Sequence, residues 1–358
     1  MAEAQSAAAG RAASAPPLTN RRFLNPDDPV CVLLVGPSQN GKTTLINRLI
    51  SMAANSDRVE RGKEGDKNKK CTLTTAEYDL EVPMSQYVLI DRMTGEVVDG
   101  IASDEATLMT QWRRIKATDY AIRMADANPL YLKLHLIDTP GLDDSEGKDY
   151  ENMEDVLGTL NRLSQAKEPW KRKLNAMVLV YNSNNSFSGS FQTIVQNYHK
   201  CMPNLFETMA VVNTHFDMAN LSQKRLHLLR QGVISAAESA RRAVMGTRAE
   251  DFKRLVGLPL APTHFHVDNR PGDRNAYADI VSRNTIADLV AFLAASLSSP
   301  MPIKQMRVVK NPDMEMVDTK LQRLLKHATD RWSSELKDAR ERASDAEAFR
   351  SVVLQLRV

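Results

Sequence analysis

The chain has 358 residues, 42% of them apolar and 25% charged, and a formal net charge of +3. That length suits one large α/β domain with an appendage, or two domains, and the apolar share is ample for a core. So slight a charge gives no reason to expect a nucleic-acid or membrane partner, and Cys31, Cys71 and Cys201, without metal-binding spacing, read as reduced thiols of a cytosolic protein.

Residues 1–27 are rich in Ala, Ser, Pro and Arg and contain no apolar block long enough for a signal peptide. They read as a disordered tail. A mitochondrial presequence is the second reading, because Glu3 is the only acid before Asp27. Val30-Cys31-Val32-Leu33-Leu34-Val35 is then a short apolar run, as expected of a buried parallel strand. It leads into Gly36-Pro37-Ser38-Gln39-Asn40-Gly41-Lys42-Thr43, which fits G-x-x-x-x-G-K-[ST] at every fixed position. Thr44 to Ile50 follows with helical spacing. Strand, glycine loop and helix are what phosphate binding needs. Backbone N–H groups at a helix N-terminus surround the anion. Lys42 reaches the β- and γ-phosphates and the Thr43 hydroxyl binds Mg²⁺. Gly36, Ser38, Gln39, Asn40, Gly41 and Thr44 complete the cradle.

Ser56 to Lys70 is charged and without apolar residues apart from Val59, and reads as a mobile loop. Within Cys71-Thr72-Leu73-Thr74-Thr75 one hydroxyl should join the Mg²⁺ shell in the triphosphate state. Thr72 and Thr74 are the candidates, since Thr75 is taken by the strand that runs to Val82 with period two. Gln86 to Val98, around Met93-Thr94-Gly95, predicts a hairpin, and Asp104 to about Ala127 a helix marked by Leu108, Met109, Trp112 and Ile115.

Tyr131 to Ile137 is an apolar strand ending in Asp138-Thr139-Pro140-Gly141. In a nucleotide switch such an Asp holds the Mg²⁺ shell, usually through water, and the glycine N–H meets the γ-phosphate. Glycine allows the close approach and the change of dihedrals. Asn175 to Tyr181 and Met209 to Asn213 predict further strands, Leu221 to Val256 a long Arg-rich helical stretch, and Thr263 to Val267 a last short strand. Alternating elements of this kind build a parallel sheet covered on both faces, with ligands at the carboxyl ends of its strands.

At one such end stands Asn213-Thr214-His215-Phe216-Asp217. The usual base-reading form is [NT]-K-x-D, so Thr214 and Asp217 fit and His215 replaces the lysine. The Asp217 carboxylate can accept from both N1–H and the 2-amino group of guanine, donors that adenine lacks. The His215 imidazole can cover the base face. Val267-Asp268-Asn269 follows the last strand, where Asn269 can donate to the guanine O6 or pack on the base.

Ile286 to Leu297, the most hydrophobic helix candidate, is shorter than a membrane span, carries Asp288 and reads as a core helix. Beyond Pro300-Met301-Pro302, Met314 to Phe349 predicts a long helix with a stripe at Val317, Leu321, Leu324, Ala328, Trp332, Leu336, Ala339 and Ala343. Packing on its own domain is favoured over a partner-binding or coiled-coil role, since Trp332 and several alanines make a poor coiled-coil seam. The domains are thus a tail over 1–27, a nucleotide domain over 28–299 with an insertion at about 83–129, and a helical extension over 300–358.

These blocks, in this order, resemble the TRAFAC GTPases. The similarity is to the septin-like branch with the GIMAP and Toc GTPases, and to a group of little-studied fungal G-domain proteins. It rests on the phosphate loop, Asp138-Thr139-Pro140-Gly141-Leu142-Asp143-Asp144, Asn182-Ser183-Asn184-Asn185-Ser186-Phe187, Asn213 to Asp217 and Val267-Asp268-Asn269, and spans about Val30 to Leu297. The resemblance implies a three-layer P-loop α/β fold with a mostly parallel sheet, and GTP or GDP with Mg²⁺ as ligands. It also implies activation by dimerisation or a protein partner. Leu142 stands where Ras-type enzymes carry the glutamine that orients water, so slow hydrolysis is expected and no catalytic residue is assigned. A P-loop ATPase or nucleotide kinase, and a scaffold that holds nucleotide without turnover, are the competing readings. Asp217 argues against the first of these, and intact Lys42, Thr43 and Asp138 against lost Mg²⁺ binding in the second.

Overall fold

The computed structural model describes residues 21–63, 74–98, 118–141, 149–185, 189–215, 249–254, 257, 261–271, 276–306 and 312–355. In chain order its elements are β1 (Arg22–Phe23), β2 (Val30–Val35), α1 (Lys42–Met52), β3 (Ala76–Met84), β4 (Tyr87–Asp91), β5 (Tyr120–Met124), β6 (Leu130–Asp138), α2 (Asp149–Ser164), β7 (Lys173–Leu174), β8 (Ala176–Asn182), α3 (Gly189–Cys201), β9 (Met209–Thr214), β10 (Thr263–His266), α4 (Ala276–Ala295), β11 (Met301–Pro302) and α5 (Pro312–Gln355).

The uninterrupted apolar run of β2 is what a strand covered on both faces requires. Val30, Val32 and Leu34 enter one core with Leu45, Ile46 and Leu49 of α1 and Ile286, Leu289 and Leu293 of α4. Cys31, Leu33 and Val35 enter the other with Val156 and Leu160 of α2 and Phe191 and Val195 of α3. β8 divides likewise, Ala176, Val178 and Val180 on the first side and Met177, Leu179 and Tyr181 on the second. The result is the three-layer α/β fold that the resemblance implied. The strands β6, β2, β8, β9 and β10 lie side by side in that order, all parallel. β3 runs antiparallel along β6 from Leu130 to Asp138. Because the central strands are parallel, the loops after Val35, Asp138, Asn182, Thr214 and His266 gather on one rim.

Several boundaries differ from the sequence reading. Arg22–Phe23, placed in the disordered tail, pairs in parallel with Leu130–Tyr131. Arg21 beside it bonds Glu81 at 2.9 Å and the Ala54 carbonyl at 3.1 Å. The domain therefore begins before residue 28. Its far end lies beyond residue 299, because Met301 and Ile303 are buried in the second core and β11 pairs with β7. The first compact unit runs to Arg307 and the second is Val308–Val358.

Tyr120–Met124, expected as the end of a helix, is a strand paired antiparallel with Tyr87–Asp91. Its residues alternate with period two, and Tyr120, Ile122 and Met124 pack on the first core. The apolar residues that suggested a helix, Leu108 to Ile115, lie outside the described residues. The hairpin around Met93-Thr94-Gly95 is present, its short returning arm held on β4 by the Ile90–Val97 bridge and by the Asp91 and Val98 N–H groups donating to the carbonyls of Glu96 at 3.0 Å and Leu89 at 2.9 Å. Of the helical stretch 221–256, residues 249–254 are helical and the rest lies outside the described residues.

α4 is longer than Ile286 to Leu297 suggested. Over Asp279–Ser298 it is long and apolar enough, by composition, to cross a membrane. Its polar groups argue for a core helix instead. Asp279 pairs with Arg48 of α1, Asn284 accepts from the Tyr87 N–H at 2.6 Å and Asp288 accepts from Gln86 at 2.7 Å.

Candidate functional site

The loop after β2 takes its shape from glycines where no other residue fits. Gly36 has φ +147°, and a Cβ there would lie 2.1 Å from the Val180 carbonyl oxygen. Gly41 caps α1 at φ +85°, and Gln39 also has positive φ, at 60°. Successive turns of this kind aim backbone N–H groups inward, toward an anion. Asn40 builds the loop rather than facing outward from it. Its side chain donates to the Ser38 carbonyl at 2.8 Å and accepts from the Asn182 N–H at 2.7 Å. Ser38 is half-buried, Gln39 exposed, and Thr44 half-buried in the first turn of α1.

Lys42 and Thr43 begin α1 and meet Asp138 at the end of β6. The buried Lys42 ammonium donates to the carbonyls of Gly36 at 2.9 Å and Pro37 at 3.0 Å. The Thr43 hydroxyl donates to Asp138 Oδ2 at 3.1 Å. Burial pushes Lys42 down to about 8, with the Asp138 charge opposing. Burial pushes the Asp138 carboxyl up to about 6, with Lys42 and the Thr43 hydrogen bond opposing. A structural ion pair would shift both groups the other way. Asp138 Oδ1 is buried with no hydrogen-bond partner in the structure.

The Asp138–Gly141 segment lies directly on the phosphate loop. Thr139 anchors it by donating to the Leu34 carbonyl at 2.7 Å. A Cβ on Gly141 would stand 2.4 Å from Ser38 Cα. Asn152 of α2 donates to the Gly141 carbonyl at 2.8 Å. The loop after α1 also folds back here. Asn47 both donates to the Gly62 carbonyl and accepts from its N–H, each at 2.8 Å. A Cβ on Gly62 would meet Thr43 Cγ2 at 2.5 Å. The stretch read as mobile is therefore pinned at its Gly62 end to the threonine expected to bind Mg²⁺. Asn47 and Asn152 carry no motif. Asn47 stands one helical turn beyond Thr43 on α1, but nothing in the sequence names Gly62 as its partner, and α2 carries no site residue that would point to Asn152.

Thr74 is exposed. Thr75 is held by Asp155 of α2, which accepts from its N–H at 2.6 Å and its hydroxyl at 2.5 Å. Thr72, Leu142 and Asp217 lie outside the described residues.

On the base side, Thr214 proves to be a brace. Its buried hydroxyl donates to the Asn40 carbonyl at 2.6 Å, and its side chain lies 3.4–3.5 Å from where a Gly41 Cβ would be. His215 is exposed, with φ 54° and its Nδ1 at 3.1 Å from the Thr214 hydroxyl. Burial of its ring and the nearby Arg270 charge hold its pKa below the usual histidine value, so a neutral ring is favoured. Asn269 follows β10, its carboxamide N and O both buried and without hydrogen-bond partners in the structure. Such groups are costly to leave unpaired, and both suit the donor and acceptor edge of a base.

Lys42 must be charged to hold phosphate and Asp138 ionised to hold the cation shell. Nucleotide affinity is therefore expected to be level between about pH 6 and 8. It should fall about tenfold per unit above 8 as free Lys42 loses its proton, and about tenfold per unit below 6 as Asp138 gains one. The dissociation constant of a fluorescent GDP analogue with Mg²⁺, measured from pH 5 to 9, checks this. An affinity that stays level from pH 8 to 9 would take that limb away from Lys42.

Residues 31–200 match the model of a family described as 50S ribosome-binding GTPase. No curated protein sequence matches the chain. Among solved structures the chain is similar to Toc33 from Arabidopsis thaliana in complex with GDP and Mg²⁺. The identity is 14% and the TM-score 0.39, over 77% of this chain and 88% of that one. A dimerization-deficient mutant of Toc33 is similar at 14% identity and TM-score 0.37, over 76% and 86%. Likenesses this distant transfer no residue roles. The match over residues 31–200, with the parallel strand order and the loop geometry just described, gives the first unit of this chain the three-layer α/β fold of a P-loop G domain.

Proposed function

We propose that this chain is a guanine-nucleotide switch that hydrolyses GTP to GDP and phosphate slowly, with acceleration by a second copy or a protein effector. One observation carries the reading. Gly141 lies against Ser38 of the phosphate loop, beside Thr43 and Asp138. A γ-phosphate at this point would be sensed by the Asp138–Gly141 segment and by the Gly62 end of the loop after α1. A switch works when such contacts exist in one nucleotide state and are lost in the other.

The residues present fit Mg²⁺. Thr43 supplies a hydroxyl and Asp138 an unpartnered carboxylate oxygen. Among the described residues no cluster of three His, Cys, Asp or Glu side chains could hold a metal unaided. That suits an ion bound largely by phosphate oxygens and water. Mg²⁺ would neutralise charge building on the β- and γ-phosphates. The chain's own part is to orient the phosphates with Lys42 and the loop N–H groups.

Leu142 stands after Gly141, where Ras-type enzymes carry the glutamine that orients water. The isolated monomer is expected to turn over at roughly 10⁻⁴ s⁻¹, as unstimulated small GTPases do. Titrating GTP, GDP and ATP and then following phosphate release as protein concentration rises tests the reading. ATP binding equal to GTP binding would remove it, and a fast rate in a proven monomer would remove the slow-switch part. Asp217→Asn is expected to move preference from GTP toward XTP, whose 2-oxygen replaces the guanine amino group.

A further inference from the structure

Seven exposed apolar residues of α5 are placed symmetrically about Trp332. Leu321, Leu325 and Ala328 precede it by 11, 7 and 4 positions, and Leu336, Ala339 and Ala343 follow by 4, 7 and 11. At 3.6 residues per turn all seven fall within an arc of about 80°. The 11-residue interval from Leu321 to Trp332 to Ala343 keeps the stripe nearly straight along the helix. It lies on a helix of 44 residues, and Leu321, Leu325, Trp332 and Leu336 are 50%, 64%, 73% and 48% exposed.

We propose that two copies of this chain pair antiparallel through α5, crossing at Trp332. Reversing the helix about Trp332 sets Leu321 opposite Ala343, Leu325 opposite Ala339 and Ala328 opposite Leu336. Every large residue meets a small one, which is how facing layers interdigitate without voids or overlap. The two Trp332 rings meet at the two-fold axis, where offset stacking is favourable. A parallel pair would set leucine on leucine at one end and alanine on alanine at the other, so the helices could not keep one separation.

Charge selects the same direction. From Lys320 to Arg331 the helix carries Lys320, Arg323, Lys326 and Arg331 against Asp330, a net +3. From Trp332 to Glu347 it carries Glu335, Asp338, Glu341, Asp345 and Glu347 against Lys337, Arg340 and Arg342, a net −2. The antiparallel pair lays each basic half along an acidic half, whereas the parallel pair lays like on like. Pairs within the helix, Arg331 with Glu335 at 2.9 Å and Lys337 with Glu341 at 4.0 Å, support the isolated helix and leave that balance unchanged.

The test is sedimentation equilibrium on the full chain without nucleotide, so that the outcome does not depend on the nucleotide reading. A dimer is expected, with Trp332→Ala raising its dissociation constant roughly 30-fold, as loss of a central aromatic anchor does. Leu325→Ala and Ala339→Leu should each weaken it, the first by a cavity and the second by overlap. The double variant merely exchanges the facing residues and should recover to within about threefold of the original. Circular dichroism reports whether each variant keeps its helix. Orientation is read by mild oxidation against a wild-type control for the native thiols. A mixture of Ala328→Cys and Leu336→Cys chains should cross-link to each other, and Ala328→Cys alone should not. A chain that stays monomeric at its highest soluble concentration overturns the proposal. So does additivity of the two exchange variants, or cross-linking of Ala328→Cys with itself.

Discussion

Lys42→Met is expected to abolish the thermal stabilisation that GTP or GDP with Mg²⁺ confers, while leaving the nucleotide-free protein folded. At a ligand concentration about 100 times the dissociation constant, binding adds roughly 2.7 kcal/mol to stability. The variant should lose nearly all of it, because a charge-assisted contact to phosphate is worth about 1.5–3 kcal/mol and Lys42 is placed for two phosphates. The nucleotide-free side of the prediction is the sharper one. Burial holds Lys42 down at about 8, below its ordinary 10.5, so the fold disfavours its charged form. That cost is present below about pH 8 and fades as pH rises toward 10.5. Removing the charge relieves it, and the freed carbonyls of Gly36 and Pro37 offset part of the gain. At pH 7 the variant should therefore melt near wild type or above it. Differential scanning calorimetry with and without ligand measures both sides. An equal ligand-induced shift in the two proteins would end the phosphate-loop assignment.

Asp138 shows the same pattern with the opposite sign. Its carboxyl is raised to about 6, so its ionised form costs stability above that pH, and the cost disappears below its ordinary 3.8. The domain thus holds a cation and an anion in environments that suit neither. Perturbation of this kind marks a site kept for a ligand. A polyanion carrying a divalent ion would compensate both at once.

The parts of this site that sequence shows are those where chemistry fixes both residue type and spacing. Gly36, Gly41, Lys42 and Thr43 must stand in one order because a single turn of backbone has to wrap phosphate. The strands leading to them show because parallel strands buried on both faces are unbroken apolar runs, as in Val30–Val35. What sequence hid are the braces. Asn47 holds Gly62 fifteen positions on, and Asn152 reaches back eleven to Gly141. A side chain bonding to backbone leaves no trace of its partner's identity, so neither pair has a pattern to find. Thr214 was found for its position in a motif, yet its hydroxyl serves Asn40. β5 was hidden because it pairs about thirty residues back with β4 in a ribbon apart from the main sheet, where local spacing carries no register.

Gly36→Ala is expected to be the most damaging single substitution in the domain. The reason is architectural before it is functional. At φ +147° an L side chain is already strained, and its Cβ would stand 2.1 Å from the Val180 carbonyl oxygen. Val180 lies in the middle of β8, itself paired on both sides with β2 and β9. That oxygen cannot retreat without breaking the sheet that carries the site. Overlap with fixed backbone combined with strain of this kind costs about 3–5 kcal/mol. Against a total stability of about 5–15 kcal/mol this is severe. Gly95→Ala is the matched control. Gly95 also has positive φ, at +74°, but no atom lies within 4 Å of its Cβ position. It should cost only about 1 kcal/mol, the backbone strain alone. Urea unfolding of the two variants without nucleotide separates steric overlap from strain. Equal midpoints would mean that β8 does not press on the phosphate loop at Gly36, and that the loop is free to take its shape from the ligand.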